Sequence, residues 1–214
     1  MTPAKRLLDI LLSLILGLIL LPVVIVIALL ILFRDGRPVF YISERMKSFE
    51  EGFGLIKFRT MTVVESDSGV SGGDKSSRIT RTGRLLRRTR LDEVPQLWNV
   101  LVGDISFVGP RPPLRQYVER FPKIYREVLK ARPGITGLAT LVYHRHEEML
   151  LARCSTVEET DAVYSRACVP RKGRLDLIYR DNRTICWDLA IMWRTVAPKR
   201  ADQAPSTETT ASSS

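Results

Sequence analysis

The feature that most limits what this chain can become is Ile10–Phe33, an uncharged apolar run of roughly 24 residues. As a helix it is long enough to cross ~30 Å of hydrocarbon. It is too long for a cleaved signal peptide, and no small-residue cleavage site precedes the polar region. Two topologies remain: a full span, or a re-entrant helix-break-helix that returns to its side of entry. Pro22, near the middle, removes a backbone hydrogen bond and kinks a helix. Lys5 and Arg6 before the run, with Arg34 and Arg37 after it, would hold both ends on the cytoplasmic side by the positive-inside rule. These two features point to re-entry with its break at Pro22, while a kinked span stays open because membrane helices tolerate proline.

The other residues are more polar than the overall 45% hydrophobic content suggests, because so much of that content lies in the first run. A formal charge of +10 implies an anionic partner, whether lipid headgroups, nucleic acid or phosphorylated substrates. Aromatic residues make up only 7% and no nucleic-acid-binding module is recognisable, which argues against nucleic acid. Cys154, Cys168 and Cys186 are odd in number and lack CxxC spacing, so they read as free thiols rather than a disulfide framework or a zinc site.

Leu91–Pro112, LDEVPQLWNVLVGDISFVGPRP, organises the polar part. Asp92 and Glu93 directly follow the basic run Arg81 to Arg90. Asp92 suits an N-cap with Pro95 in the first turn, and Val94, Leu97, Trp98 and Leu101 recur as one apolar helical stripe. A helix start among arginines favours anions, so adjacent carboxylates there have two readings. They are capping and surface acids, or they are a nucleophile and its helper attacking a phosphoryl group beside a divalent cation. Arg111, fixed in a Pro-Arg-Pro corner, offers a planar fork for phosphate.

Elsewhere, Val39–Ile42 and Phe53–Arg59 have strand character and suggest a hairpin, with Lys57 and Arg59 on one face of its second strand. Glu65–Ser77 reads as a loop and Ile79–Arg90 as a basic interfacial helix. Leu114–Ala131 reads as a helix that Pro122 must kink or break. The glycines of Arg132–Gly137 would let backbone approach a ligand, with Arg132 meeting a phosphate. His144–Glu148, HRHEE, lacks the HExxH spacing and reads as surface polarity. Ile185–Val196 is an apolar helix, and Ala201–Ser214 is a low-complexity tail of disordered composition.

LDEVPQLWNVLVGDISFVGPRP, KFRTM at Lys57–Met61 and RPGITG at Arg132–Gly137 together resemble the bacterial sugar transferases known as small monotopic phosphoglycosyl transferases. The resemblance runs from about Lys5 to Val196. It implies an α+β fold, mostly helical with a β-hairpin, seated by a re-entrant membrane helix and interfacial amphipathic helices. The organisation it implies is a membrane helix over residues 1–36, a cytoplasmic catalytic domain over 37–200 and a tail over 201–214. The implied reaction moves a phosphosugar from a UDP-sugar to polyprenyl phosphate at the cytoplasmic face of the bacterial inner membrane, initiating assembly of a membrane-linked glycan. Asp92 would be the nucleophile that forms an aspartyl-phosphosugar with release of UMP, and Glu93 would assist. Both would hold Mg²⁺, with Lys57, Arg59, Arg87, Arg111 and Arg132 binding substrate phosphates. The family pairs Ser with Pro at the membrane break, where this chain has Leu21-Pro22. Leu138 and Thr140 replace its usual Trp and Gln, and Arg90 replaces a small polar residue before the dyad. The partners implied are UDP-sugar, polyprenyl phosphate and membrane lipid, and whether the chain forms a homo-oligomer stays open. The rival reading is a non-catalytic, lipid-binding scaffold of a glycan assembly complex.

Overall fold

Helix α1, Pro3–Arg34, carries the whole apolar run and continues through Pro22 without interruption. The computed structural model describes residues 2–64, 69–70 and 72–197. Thr2 caps the start of α1, its side chain accepting from the Lys5 amide at 3.3 Å. The expected break at Pro22 is thus no gap in the helix. A proline in a helix interior costs about 3 kcal/mol, and here the turns on both sides of Pro22 gain from packing on the domain.

That packing follows one face. Leu12 and Leu16 rest on the cluster of Phe53, Leu55, Val100, Ile105 and Phe107, while Ile27 and Ile31 close a second cluster with Phe58 and Leu86. These positions recur every three or four residues and make one stripe along the helix. The other face is apolar and uncovered, with Leu18 76% and Phe33 81% exposed.

Both ends of α1 are also tied to the same domain by polar contacts. Lys5 Nζ donates to the Val108 carbonyl at 3.0 Å and the Tyr179 hydroxyl at 3.2 Å, and it pairs with Asp188. Arg6 donates to the Val100 and Leu101 carbonyls at 2.6 and 2.7 Å. Buried Asp9 accepts from Ser106 Oγ at 3.1 Å. At the far end the Asp35 and Gly36 carbonyls accept from Arg59 Nη2 at 2.6 and 2.7 Å.

The domain is mostly helical around two small sheets. Strands β1, Phe40–Met46, and β2, Gly52–Phe58, form the expected antiparallel hairpin, in register Phe40 with Phe58 and Met46 with Gly52. Helices α2, Arg81–Thr89, and α3, Gln96–Val102, follow. Strand β3, Ser106–Val108, then pairs in parallel with β4, Gly134–Thr136, a sheet too short to betray itself by alternation. Between them α4, Arg115–Arg120, and α5, Pro122–Val128, divide at Phe121, where proline starts the second helix as expected. Helices α6, Leu138–Leu151, α7, Val157–Val163, α8, Val169–Asn182, and α9, Ile185–Val196, complete the described chain.

Two expectations about loops are corrected. Gly73–Arg78 is a 3₁₀ helix within the stretch read as loop, of which residues 65–68 and 71 lie outside the described residues, as does the tail at 201–214. The glycines of the Arg132–Gly137 loop meet backbone rather than ligand. A Cβ on Gly137 would lie 2.1 Å from the Gly109 carbonyl oxygen, and one on Gly134 would lie 2.2 Å from the Gly109 amide nitrogen. The glycines therefore let the β4 loop press directly on the turn that leads to Pro-Arg-Pro.

Candidate active site

The Asp-Glu pair sits where two helices fail to join. Helix α2 is capped by Thr80, whose hydroxyl oxygen accepts from the Gly83 amide at 2.8 Å. It ends at Arg90, which adopts φ 60°, ψ 13°, and is the only non-glycine with positive φ among the described residues. That left-handed residue stops the helix and throws Leu91–Glu93 into a single 3₁₀ turn before α3 begins. The N-cap position of α3 belongs to Pro95, so the capping role expected of Asp92 does not occur. The face α3 buries is Gln96, Asn99 and Val100, whereas Trp98 from the expected apolar stripe is 58% exposed. Polar residues win the inner face because Asn99 bridges elements. Its amide nitrogen donates to the Gly54 carbonyl at 2.8 Å and its oxygen accepts from the Ile56 amide at 3.0 Å, pinning α3 to β2.

Because of that turn, Asp92 and Glu93 leave a regular helix path and meet different groups in one cavity of about 850 Å³. Glu93 Oε1 accepts from Lys57 Nζ and from Arg111 Nη2, both at 2.8 Å. Burial alone would raise the Glu93 carboxyl, but Arg111 and Lys57 outweigh it and hold the group well below the usual carboxylate range. Burial and the Arg111 charge lower Lys57 to about 8, against the pull of Glu93. Glu93 in turn raises Arg111 above the ordinary arginine value, against burial. Asp92 is the contrasting member. It is 8% exposed, and its buried Oδ1 has no hydrogen-bond partner among the described residues. Burial pushes its carboxyl above the ordinary aspartate value, opposed by Lys57, increased by Glu93 and opposed again by Arg87 and Arg90.

Lys57, Arg87 and Arg111 therefore line this cavity as the sequence suggested. Arg87 also donates from Nε to Thr60 Oγ1 at 2.9 Å, a contact allowed because Gly83 lets α2 close against the Thr60 backbone. Arg59 and Arg132 do not line this cavity. Strand β2 ends at Phe58, so alternation no longer governs Arg59, and its buried guanidinium binds the turn after α1 instead of lining the cavity. Arg132 is exposed and donates to the Gly103 carbonyl, beside Arg6 at the C-terminus of α3, where cations suit the helix dipole.

The opposite wall was missed. Arg45, Glu147, Tyr164, Lys172 and Asp176 all line the cavity. Lys172 Nζ donates to Glu147 Oε1 at 2.9 Å and to the Tyr164 hydroxyl at 3.3 Å. Burial raises the Asp176 carboxyl to about 7, although Lys172 opposes it, and Asp176 Oδ1 has no hydrogen-bond partner among the described residues. His144 and Glu147, read as surface polarity, both face this cavity. The available signal was the buried stripe of α8, where Lys172 and Asp176 stand in step with Val169 and Tyr179. Two ionisable residues on a core stripe mark an internal polar site.

Among the described residues no three His, Cys, Asp or Glu side chains gather into a metal cluster. A hard divalent cation bound through one or two carboxylates and substrate phosphates needs no such cluster. Asp92 Oδ1, unpartnered among the described residues, suits that role, and Lys57 and Arg111 both use Oε1 of Glu93, leaving Oε2 outside those two ion pairs.

A buried carboxylate, its ion-paired neighbour and a ring of cations thus share one cavity. Residues 1–199 match the family model described as bacterial sugar transferase, and the chain belongs to that family. It is 36% identical over 166 residues to the UDP-glucose:undecaprenyl-phosphate glucose-1-phosphate transferase of Klebsiella pneumoniae, covering 76% of this chain and 36% of that protein. It is 36% identical over 145 residues to the UDP-N-acetylgalactosamine-undecaprenyl-phosphate N-acetylgalactosaminephosphotransferase of Aeromonas hydrophila, covering 65% and 34%. The uncharacterized sugar transferase EpsL of Bacillus subtilis is also 36% identical, over 163 residues covering 76% of this chain and 70% of EpsL. The chain thus spans about a third of the length of the first two relatives.

Proposed function

We propose that the protein transfers a sugar phosphate from a UDP-sugar to polyprenyl phosphate, with Asp92 as the covalent nucleophile. The observation that carries this is the split character of the dyad. Glu93 Oε1 is taken by two cations, while Asp92 is buried among cations with its Oδ1 unpartnered among the described residues. In the first step an Asp92 oxygen forms a bond to the sugar-linked phosphorus. The bond from that phosphorus to the bridging oxygen breaks, and UMP leaves with the bridging oxygen and the electron pair. In the second step an oxygen of polyprenyl phosphate attacks the same phosphorus and Asp92 leaves as a carboxylate. Lys57, Arg87 and Arg111 offset the charge that spreads over the transferred phosphoryl oxygens. Glu93 fixes Lys57 and Arg111 in place, and Arg111 is further stiffened by its flanking prolines. Mg²⁺ held by Asp92, Glu93 Oε2 and substrate phosphates would supply Lewis-acid stabilisation of developing charge. The two named relatives act on different sugars by their names, so the family reading leaves the sugar open.

The same proposal includes a one-sided membrane seat. By length and composition α1 can cross a bilayer, yet Lys5, Asp9, Ile27 and Ile31 all pack on one domain. A straight span would set those ends on opposite sides of ~30 Å of hydrocarbon. We propose that both ends of α1 stay on the cytoplasmic side of the bacterial inner membrane, with its uncovered apolar face in lipid.

The test is UMP release from a panel of UDP-sugars by purified protein in detergent, with and without polyprenyl phosphate and Mg²⁺, beside Asp92→Asn. Acceptor- and Mg²⁺-dependent UMP from one sugar, lost in the variant, is the expected result. Equal turnover by Asp92→Asn would exclude the covalent route.

A further inference from the structure

A second cavity of about 350 Å³ adjoins the first. Its apolar lining includes Leu20 of α1, Val94, Leu97, Phe107, Ile135 and Leu141. The two cavities share Arg90, Glu93, Thr140 and His144, so they meet at a neck formed by those four residues. The neck is bridged by Arg90, whose guanidinium contacts His144 Nε2 across 54 residues of sequence. His144 is tied back to Glu148 at 3.0 Å on the same helix. Arg90 is also the residue with φ 60° that breaks α2. A non-glycine residue in that conformation persists where its surroundings over-determine it, and such residues concentrate at functional sites.

This arrangement fits one class of ligand, an anion with a long apolar tail. The tail needs an apolar path to the membrane helix, which Leu20 supplies, and the head needs a cation where that path opens into the phosphoryl cavity, which Arg90 supplies. We propose that Arg90 and His144 hold the phosphate head of the polyprenyl phosphate acceptor, with the first isoprene units lying in the groove of Leu97, Phe107 and Leu141. This rests on the proposed transferase reading and assigns its acceptor site. Entry from the groove would bring the acceptor oxygen to Asp92 from the lipid side, while the donor occupies the larger polar cavity. Arg90 and His144 would touch the acceptor in the second step, and Arg90 also lies among the cations around Asp92.

The test separates the half-reactions in full-length protein in detergent. Arg90→Asn removes the cation yet suits the left-handed backbone, and His144→Ala removes the bridge. Each is expected to raise the acceptor KM about tenfold or more, and His144→Ala is expected to leave the donor KM, and UMP release in a single turnover without acceptor, within twofold of wild type. Leu141→Trp, which narrows the groove, is expected to raise the KM of undecaprenyl phosphate at least tenfold and that of a two-isoprene phosphate less than threefold. An unchanged acceptor KM in Arg90→Asn and His144→Ala, or equal loss for both chain lengths in Leu141→Trp, would overturn the assignment. Absence of single-turnover UMP from the wild type would instead refute the transferase reading on which it rests.

Discussion

The two walls of the large cavity treat their carboxylates in opposite ways. On the wall built from the α2–α3 turn, the hairpin and the Pro-Arg-Pro corner, Glu93 meets Lys57 and Arg111 and stays charged. On the wall built from α6 and α8, Asp176 is 7% exposed, lacks a partner at Oδ1 and is raised by burial to about 7. Burial penalises both charges alike, and the difference is the number of cations in reach. The charged wall gathers Lys57, Arg87 and Arg111, whereas the inner wall gathers Arg45, Glu147, Tyr164, Lys172 and Asp176. Asp92 stands on the charged wall with its Oδ1 unpartnered among the described residues, as the proposed attack on phosphorus requires.

Breaking the charged wall has the largest expected effect. Glu93→Gln leaves Lys57 and Arg111 facing each other without a counter-charge. Breaking a buried ion pair costs about 3–5 kcal/mol, and with the Arg111 side chain 34% exposed the lower end is expected. Urea denaturation should show that loss, and kcat should fall at least 100-fold as the phosphate ligands lose their placement.

The inner wall should respond in the other direction. The Asp176 carboxyl is raised in the folded state, so the fold keeps a proton that the unfolded chain releases, and stability declines as pH rises from about 4 to about 7. Asp176→Asn should remove that decline. The stabilisation at pH 8 should be about 2 kcal/mol, roughly half the value implied by the full shift at 1.4 kcal/mol per unit. A melting temperature about 5 °C higher at pH 8, with little change at pH 4, would be the sign.

The pH profile of turnover sharpens the same contrast. Its acid limb should lie above that of an ordinary aspartate, because burial raises Asp92, which must be ionised to attack. Its alkaline limb should fall near pH 8 as Lys57 loses its proton, and Lys57→Arg should move that limb upward by at least one unit. The smallest effect belongs to Arg132→Ala. Arg132 lies at the C-terminus of α3 and outside the cavity, so the donor KM should stay within twofold of wild type.

Much of the charged wall was legible in the chain, and the inner wall was not. Asp92, Glu93 and Arg111 fall within one continuous stretch, and Lys57 lies in a strand whose partner is near in sequence. Local chemistry therefore exposed them. Glu147, Lys172 and Asp176 come from helices that meet only in the tertiary fold, and each looks like an ordinary surface charge when read alone. Arg59 misled because a strand end cancels alternation after a single residue. The hairpin followed from strand composition, but β3 and β4 have three residues each and are joined by close glycine contacts that no periodicity reveals. Pro22 was visible as a helix disruptor, yet packing along one face carries α1 through it.

The most direct test of the central claim is intact-mass analysis after incubating the protein with its UDP-sugar and no acceptor. A mass increase of one sugar phosphate, mapped to Asp92, discharged by adding polyprenyl phosphate and absent from Asp92→Asn, is the predicted result. An adduct on another residue, or full turnover by Asp92→Asn, would contradict the account.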